Sequence, residues 1–215
     1  MSKPRGPYAK TSSKRQQIIE AALAAYAEAG SRKVSVRDIA QRVGMTDAGV
    51  LHHFGGRESL LTAVLVARDA AAEERFGVFE ARAADDFLRI LAANASTPGL
   101  VKLFVDLAAA AAEPDHPAHD YFEERYDRYR ERFTEQLVEQ AAARSAAVEP
   151  ATAEPDAVAA DRAAEAAWAA RILIAATDGL QLQWLLDPRI DMADDIRRLA
   201  GVLLDTLADR ERRVS

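Results

Sequence analysis

The stretch Ser35–Phe54, SVRDIAQRVGMTDAGVLHHF, constrains this chain more than any other. Ser35 suits an N-cap, and Asp38, three residues on, stands where an acid favours a helix start. Val36, Ile39, Ala40 and Val43 then recur at helical spacing and give one apolar face about two turns long. Gly44 follows at the position where a helix ends in the left-handed conformation. Met45 fills the corner, and Thr46 can cap a second short helix from Asp47 to about His53, with Val50 and Phe54 facing inward. The pattern predicts two short helices joined by a tight turn containing Gly. That is the helix-turn-helix arrangement, whose second helix enters the DNA major groove. An ordinary helical hairpin within a bundle is the alternative. Two Gly in the turn and second helix, and basic residues around both helices, weigh against it.

The residues left for other faces of the second helix are Ala48, Gly49, Leu51, His52 and His53. Ala48, Gly49 and Leu51 offer apolar contact with thymine methyls rather than bidentate hydrogen bonds to bases. With so few polar groups there, Arg37 near the start of the first helix is expected to carry much of the specificity. The Thr46 hydroxyl can reach a phosphate while capping, and imidazole nitrogens of His52 and His53 can donate to phosphate. Core packing is the other use for His53. Lys14 and Arg15 lie near the start of a preceding helix, where positive charge opposes the macrodipole. Phosphate contact is the natural reason for placing them there, and Arg57 is a further candidate clamp.

Charge supports a polyanion partner for one end only. From Met1 to Leu61 ten Lys/Arg face five Asp/Glu, a surplus of +5. The remainder holds 18 basic and 29 acidic residues, or −11, within a net charge of −6. A basic head on an acidic body attracts DNA at the head and repels it from the body.

At these residues the chain resembles the TetR family of transcriptional regulators. The resemblance runs closely from Gln16 to Leu65, through IIEAALAAYAEAG, VSVRDIAQRVGMTDAGVLHHF and GGRESLLTAVL. Order and spacing agree: a first helix ending in Gly30, then Ile39-Ala40, Val43-Gly44 and His53-Phe54, then a basic residue and Glu58 opening the next helix. Leu51 stands where the family usually has Tyr, and Gly55-Gly56 replaces the usual Pro/Lys-type pair. The resemblance implies phosphate contacts for His52 and His53. It also implies a fold: all-α, about nine helices, with an N-terminal three-helix DNA-binding domain ahead of a helical ligand-binding and dimerisation domain.

The rest of the chain reads as helix almost throughout, since Ala is abundant and Val/Ile/Thr alternation is nearly absent. Residues 1–12, rich in Pro, Gly and Lys, are expected to be a disordered basic arm that could trail along phosphates or make no fixed contact. The DNA-binding domain is expected over 13–56 and the second domain over 57–209, with a tail at 210–215. Further helices are expected at 57–76 (apolar face Leu60, Leu61, Val64, Leu65) and 85–95. Another should follow from Pro98, capped by Thr97, with long ones at 119–144, 157–186 and 192–209. The fourth helix joins the basic head to the acidic body and is the expected transmitter between them. Ser145–Asp156, with two Pro and little bulk, is expected to be a mobile loop. No apolar run is long enough to span a bilayer, and Met1–Thr11 lacks the apolar segment of a signal peptide. Absence of Cys excludes disulfides and thiolate metal sites and is compatible with a reducing compartment, so a cytoplasmic location is expected.

The segment ILIAATDGLQLQWLLDP is too apolar to be covered by the last helix alone. Two copies about a two-fold axis would bury it in a four-helix bundle, with Ala175, Ala176, Gly179, Leu182, Leu185, Leu199, Val202 and Leu203 at the interface. ATDGLQLQWLLDP is also similar to the penultimate helix with which the TetR family dimerises. An intrachain core is the alternative. The resemblance further implies an effector cavity in the body. Phe76, Phe104, Tyr121, Phe122, Tyr126, Trp168, Asp178, Gln181 and Trp184 are the aromatic and polar residues that could line it, or could equally be plain core or dimer interface.

His116 and His119 among Glu113, Asp115 and Asp120 could hold a metal by spacing, but Pro117 between them favours a solvated helix entrance, and no metal or cofactor is expected. Phosphate loops, nucleophile elbows and metalloprotease helices are absent from the sequence. The expected protein is therefore a regulator, not an enzyme. It would be a homodimeric repressor of a palindromic double-stranded operator, released by a small-molecule effector. An effector-independent dimeric regulator is the first alternative, and a small helical enzyme the second.

Overall fold

The structure, a computed structural model, describes residues 7–30, 32–77, 84–146 and 156–214. All regular structure among them is helical: α1 (Pro7–Glu28), α2 (Val36–Arg42), α3 (Asp47–His52), α4 (Arg57–Phe76), α5 (Ala84–Asn94), α6 (Pro98–Ala110), α7 (His119–Ala146), α8 (Asp156–Leu186) and α9 (Met192–Val214). No single helix among the described residues is long and apolar enough to cross a membrane.

Helix ends differ from the sequence expectation in four places. Residues 7–12, expected in the arm, form the first turns of α1. Pro at the first helical position is favourable because its missing N–H would have no partner there. The other arm residues, 1–6, lie outside the described residues. α9 continues through 210–214, expected as a tail. That stretch contains no Gly or Pro to stop the helix. The expected loop at 145–156 is narrower, since Ser145 and Ala146 complete α7 and Asp156 opens α8. Its remainder lies outside the described residues. Finally, Thr97 makes no side-chain cap to α6; its hydroxyl donates to the Asn94 carbonyl instead, at 3.4 Å.

The chain packs as two compact units. The first holds α1–α3, α4 as far as Arg75, and residues 93–122; the second holds residues 76–92 and everything from 123 onward. By packing, the helix-turn-helix shares its unit with α4 and α6. Ile18 and Ala22 of α1, Ile39 of α2, Val50 of α3, Leu60 and Val64 of α4 and Val101 and Phe104 of α6 are all but fully buried in the first unit. α6 can begin where it does because Gly99 has no side chain. A Cβ there would lie 2.2 Å from the Tyr26 carbonyl oxygen and 3.0 Å from that of Gly30, inside any real contact.

In the second unit, Leu88 and Leu91 of α5 and Tyr129, Phe133, Leu137 and Ala141 of α7 share one core with residues of the last two helices. Those are Ala166, Ala169, Ala170, Leu173 and Ile174 of α8 and Ile196, Leu203, Leu204 and Leu207 of α9. Small residues on α8 let it approach its neighbours closely, while the Phe87–Phe133 ring pair, 4.8 Å between centroids and steeply inclined, supplies bulk.

Candidate nucleic-acid interface

α2 and α3 have seven and six residues, too few to be stable alone, and their ends are fixed by named contacts. At the start of α2 the Ser35 hydroxyl accepts from the Asp38 N–H at 3.1 Å, and the Asp38 carboxylate accepts from the Ser35 N–H at 2.8 Å. This is a capping box closed by Asp. The Ser35 N–H, and then its hydroxyl, hold the Asp38 carboxyl below the usual carboxylate range. At the far end Met45 N–H donates to Ala40 O (2.9 Å) and Gly44 N–H to Gln41 O (3.3 Å), with Gly44 at φ +64°. That pair of bonds is a Schellman motif, and its left-handed residue is where Gly carries no steric penalty. Thr46 then accepts from Gly49 N–H at 3.1 Å and starts α3. Val50 (fully buried) and Phe54 anchor α3 to the core, as the sequence predicts.

The expected DNA contacts divide by what they touch within the chain. Arg37, Thr46, Ala48 and His52 are exposed, and Gly49, Leu51 and His53 are half-buried. Arg37 has no hydrogen bond or ion pair among the described residues, so its guanidinium is available. Gly49 has a local reason to be small, because a Cβ would meet the Thr46 hydroxyl at 3.1 Å. Arg57 is exposed and paired with Glu58 at 2.7 Å. Two cations have partners that the sequence did not suggest. Lys14 Nζ donates to the Val43 carbonyl at 3.2 Å, at the negative end of the α2 dipole. The Arg15 guanidinium lies 4.3 Å from the centroid of the Phe54 ring, a cation–π contact. Both tie α1 to the helix-turn-helix.

The residues expected around an effector fall into two groups, Phe104, Tyr121 and Phe122 in the first unit and the others in the second. Phe104 is core of the first unit, its ring 5.3 Å from that of Phe122. There the Tyr121 hydroxyl donates to Asp69 at 2.6 Å, and Asp69 also accepts from Arg68. In the second unit Tyr126 donates to Asp178 at 2.6 Å; burial first, and then the Asp178 charge, hold its phenol above the ordinary value. Phe76 packs on the second core, Gln181 is buried with its amide against the Thr177 carbonyl, and Trp184 is buried too. Trp168, by contrast, is 47% exposed, so it lines no interior cavity. His116 Nδ1 accepts from Ala118 N–H while its Nε2 lies 3.7 Å from a Glu58 carboxylate oxygen, and His119 Nδ1 lies 2.9 Å from Ala111 O.

Trp168 belongs instead to a stripe. Trp168, Ile172, Ala175, Gly179, Leu182 and Leu186 follow one another along α8 at alternating spacings of four and three, and none of them is buried. Ala175, Gly179 and Leu182 are among the interface residues expected from the sequence and Trp168 has the interface as one alternative; Ile172 and Leu186 are additional, and the heptad spacing is the signal that finds them. Of the other expected interface residues, Val202 is exposed and Leu185 half-buried. Leu203 lies in the second unit's own core, and Ala176 and Leu199 pack against it, so these three are used within the chain.

A chain whose regular structure is helical throughout the described residues, and whose first unit presents a capped helix–turn–helix pair, has the helix-turn-helix architecture. Residues 18–64 match the family described as bacterial regulatory proteins, tetR family. Over that segment, about a fifth of its length, the chain is similar to the TetR family. It is 36% identical over 56 residues to the HTH-type transcriptional repressor KstR2 of Mycobacterium tuberculosis, and the match spans 26% of this chain and 28% of that relative. Two solved structures share the fold over nearly the whole length. A tetR-family transcriptional regulator from Streptomyces coelicolor superimposes with a TM-score of 0.61 at 19% identity, covering 93% of this chain and 88% of that one. A TetR transcriptional regulator from Rhodococcus sp. RHA1 gives 0.57 at 18% identity, covering 91% and 97%.

Proposed function

We propose that the chain is a sequence-specific DNA-binding transcriptional regulator, a repressor acting in the cytoplasm as a homodimer on a palindromic operator and released by a small-molecule effector. The observation that carries the reading is the α2–turn–α3 unit. Once Ile39, Ala40, Val50 and Phe54 are packed inward, the outer surface left to it carries Arg37, Thr46, Ala48 and His52. Arg37 reads a base edge or a phosphate, Thr46 and His52 reach phosphates, and the small side chain of Ala48 lets the helix approach the bases. Lys14 and Arg15 hold α1 against the unit and add to the positive field around it.

The unburied stripe on α8 supports the dimer. Two copies packed through Trp168, Ile172, Leu182 and Leu186 about a two-fold axis remove that apolar surface from water. They also present the reading unit twice, as half-sites about 34 Å or a multiple apart require. Effector release needs only a ligand that binds one arrangement of the dimer better than the other, and a coupling of about 1–3 kcal/mol suffices for a usable switch.

Selection of bound duplexes from a random pool tests the reading. A palindrome should be enriched, and affinity for it should fall steeply with salt. Arg37→Ala should weaken binding by about 1–3 kcal/mol with the fold intact. Failure to enrich any duplex in dilute buffer, with the protein dimeric and folded, would overturn it.

A further inference from the structure

The second unit contains a cavity of about 190 Å³ between α5, α7, α8 and α9, and none of the residues expected to surround an effector lines it. Its apolar wall includes Phe87, Phe133, Leu173, Ile196 and Leu204. On the α9 side it is bounded by Ala200 and Gly201, and a Cβ built on Gly201 meets no atom within 4 Å. α9 contributes two adjacent small residues to a lining that also holds the aromatic pair of α5 and α7, which leaves the space open. Apolar cavities of roughly 150 Å³ stay dry and take up benzene, so this one has room for a single ring with a substituent.

The polar lining decides the ligand's charge. It consists of Gln136, Gln140 and Arg144 on α7 and Arg197 on α9. Both guanidinium groups are already matched by acids, Arg144 with Asp205 at 3.2 Å and Arg197 with Asp194 at 2.9 Å. An anionic ligand would have to compete with these carboxylates, and a cationic one would meet two arginines. Half-buried Gln140, from the same helix as Arg144, offers a neutral donor and acceptor.

We propose that this cavity binds a small neutral molecule, one aromatic or alicyclic ring bearing a single hydrogen-bonding group, with the ring against Phe87 and Phe133 and the polar group at Gln140. That such a ligand is the effector rests on the regulator reading above; that it binds does not.

The test is thermal unfolding of the full chain with p-cresol, indole and cyclohexanol as neutral probes and p-toluate as the anionic counterpart. At least one neutral probe should raise Tm saturably by a few degrees, while p-toluate should not. Gly201→Leu fills the void and also removes a helix-interior Gly, so the variant should unfold no earlier than the wild type, yet its probe-dependent shift should disappear. Ala200→Leu is the second filling variant and should give the same loss. No shift with any neutral probe, or an undiminished shift in both filled variants, overturns the site. An equal or larger shift with p-toluate overturns the ligand class. Duplex binding measured with and without the stabilising probe reads the other question separately: unchanged DNA affinity would defeat the effector role and leave the binding site standing.

Discussion

α3 has six residues and is held in shape by its ends, whereas α8 has 31 and is held by what it packs against. The surface α3 leaves to solvent is small, Asp47, Ala48 and His52, on a helix held by the Thr46 cap and the buried Val50. α8 leaves large apolar residues unburied, among them Leu186 at 81% exposure and Leu182 and Trp168 at about half. A short capped helix on a closed core can meet a hydrated polyanion, whose phosphates must be matched by hydrogen bonds and charge. A long helix with one apolar side exposed meets a surface like itself. The two surfaces thus call for opposite partners, and they can be broken independently.

The largest effect is expected at α8. If the proposed dimer packs through this stripe, Ile172→Glu with Leu182→Glu should raise its dissociation constant at least a hundredfold, about 3 kcal/mol, as read by sedimentation, because each charge would appear twice in the interface. Far-ultraviolet circular dichroism of the variant should keep its helical signal. A variant that still sediments as a dimer would remove the stripe from the interface.

Next comes Gly99→Ala, expected to destabilise the first unit by about 1–3 kcal/mol in denaturant titration, since a backbone carbonyl cannot step aside as a side chain can. Ser35→Ala should follow with a loss of about 1 kcal/mol from the α2 cap. It should also weaken duplex binding more than its stability cost alone explains if the cap orients Arg37.

The smallest effect is a pH dependence. The folded Asp38 carboxyl titrates lower than the unfolded one, so its contribution is present above the ordinary carboxylate pKa and is lost as pH falls through the folded value. The stability difference between the wild type and Asp38→Asn should therefore shrink on acidification below about pH 4. A difference that stays constant would show that the carboxylate is not what closes the box.

The same contrast explains what could be read from the sequence. Ser35, Asp38, Gly44 and Thr46 act through their own identity on backbone a few residues away, so the helix-turn-helix was legible to within a residue or two. Lys14 was not: its partner is a main-chain carbonyl 29 residues on, and a carbonyl has no letter in the sequence. α8 hid its orientation because Ala fills so many positions that an inner and an outer face look alike. The sequence alone therefore leaves Trp168 open between cavity, core and interface, and does not show that Leu203 faces inward. The cavity beside α9 was invisible for a related reason. It is made of atoms that Ala200 and Gly201 lack, and absent atoms leave no periodicity to detect.

Where Gly99 meets the end of α1, main chain rests on main chain with no side chain between them. Side chains act as springs, because they change rotamer and absorb a displacement of a few tenths of an ångström before passing it on. This joint has no such give. A push on the first turn of α6 would reach the Tyr26 peptide undamped, and the stiffness of that joint depends on the smallest residue in the chain.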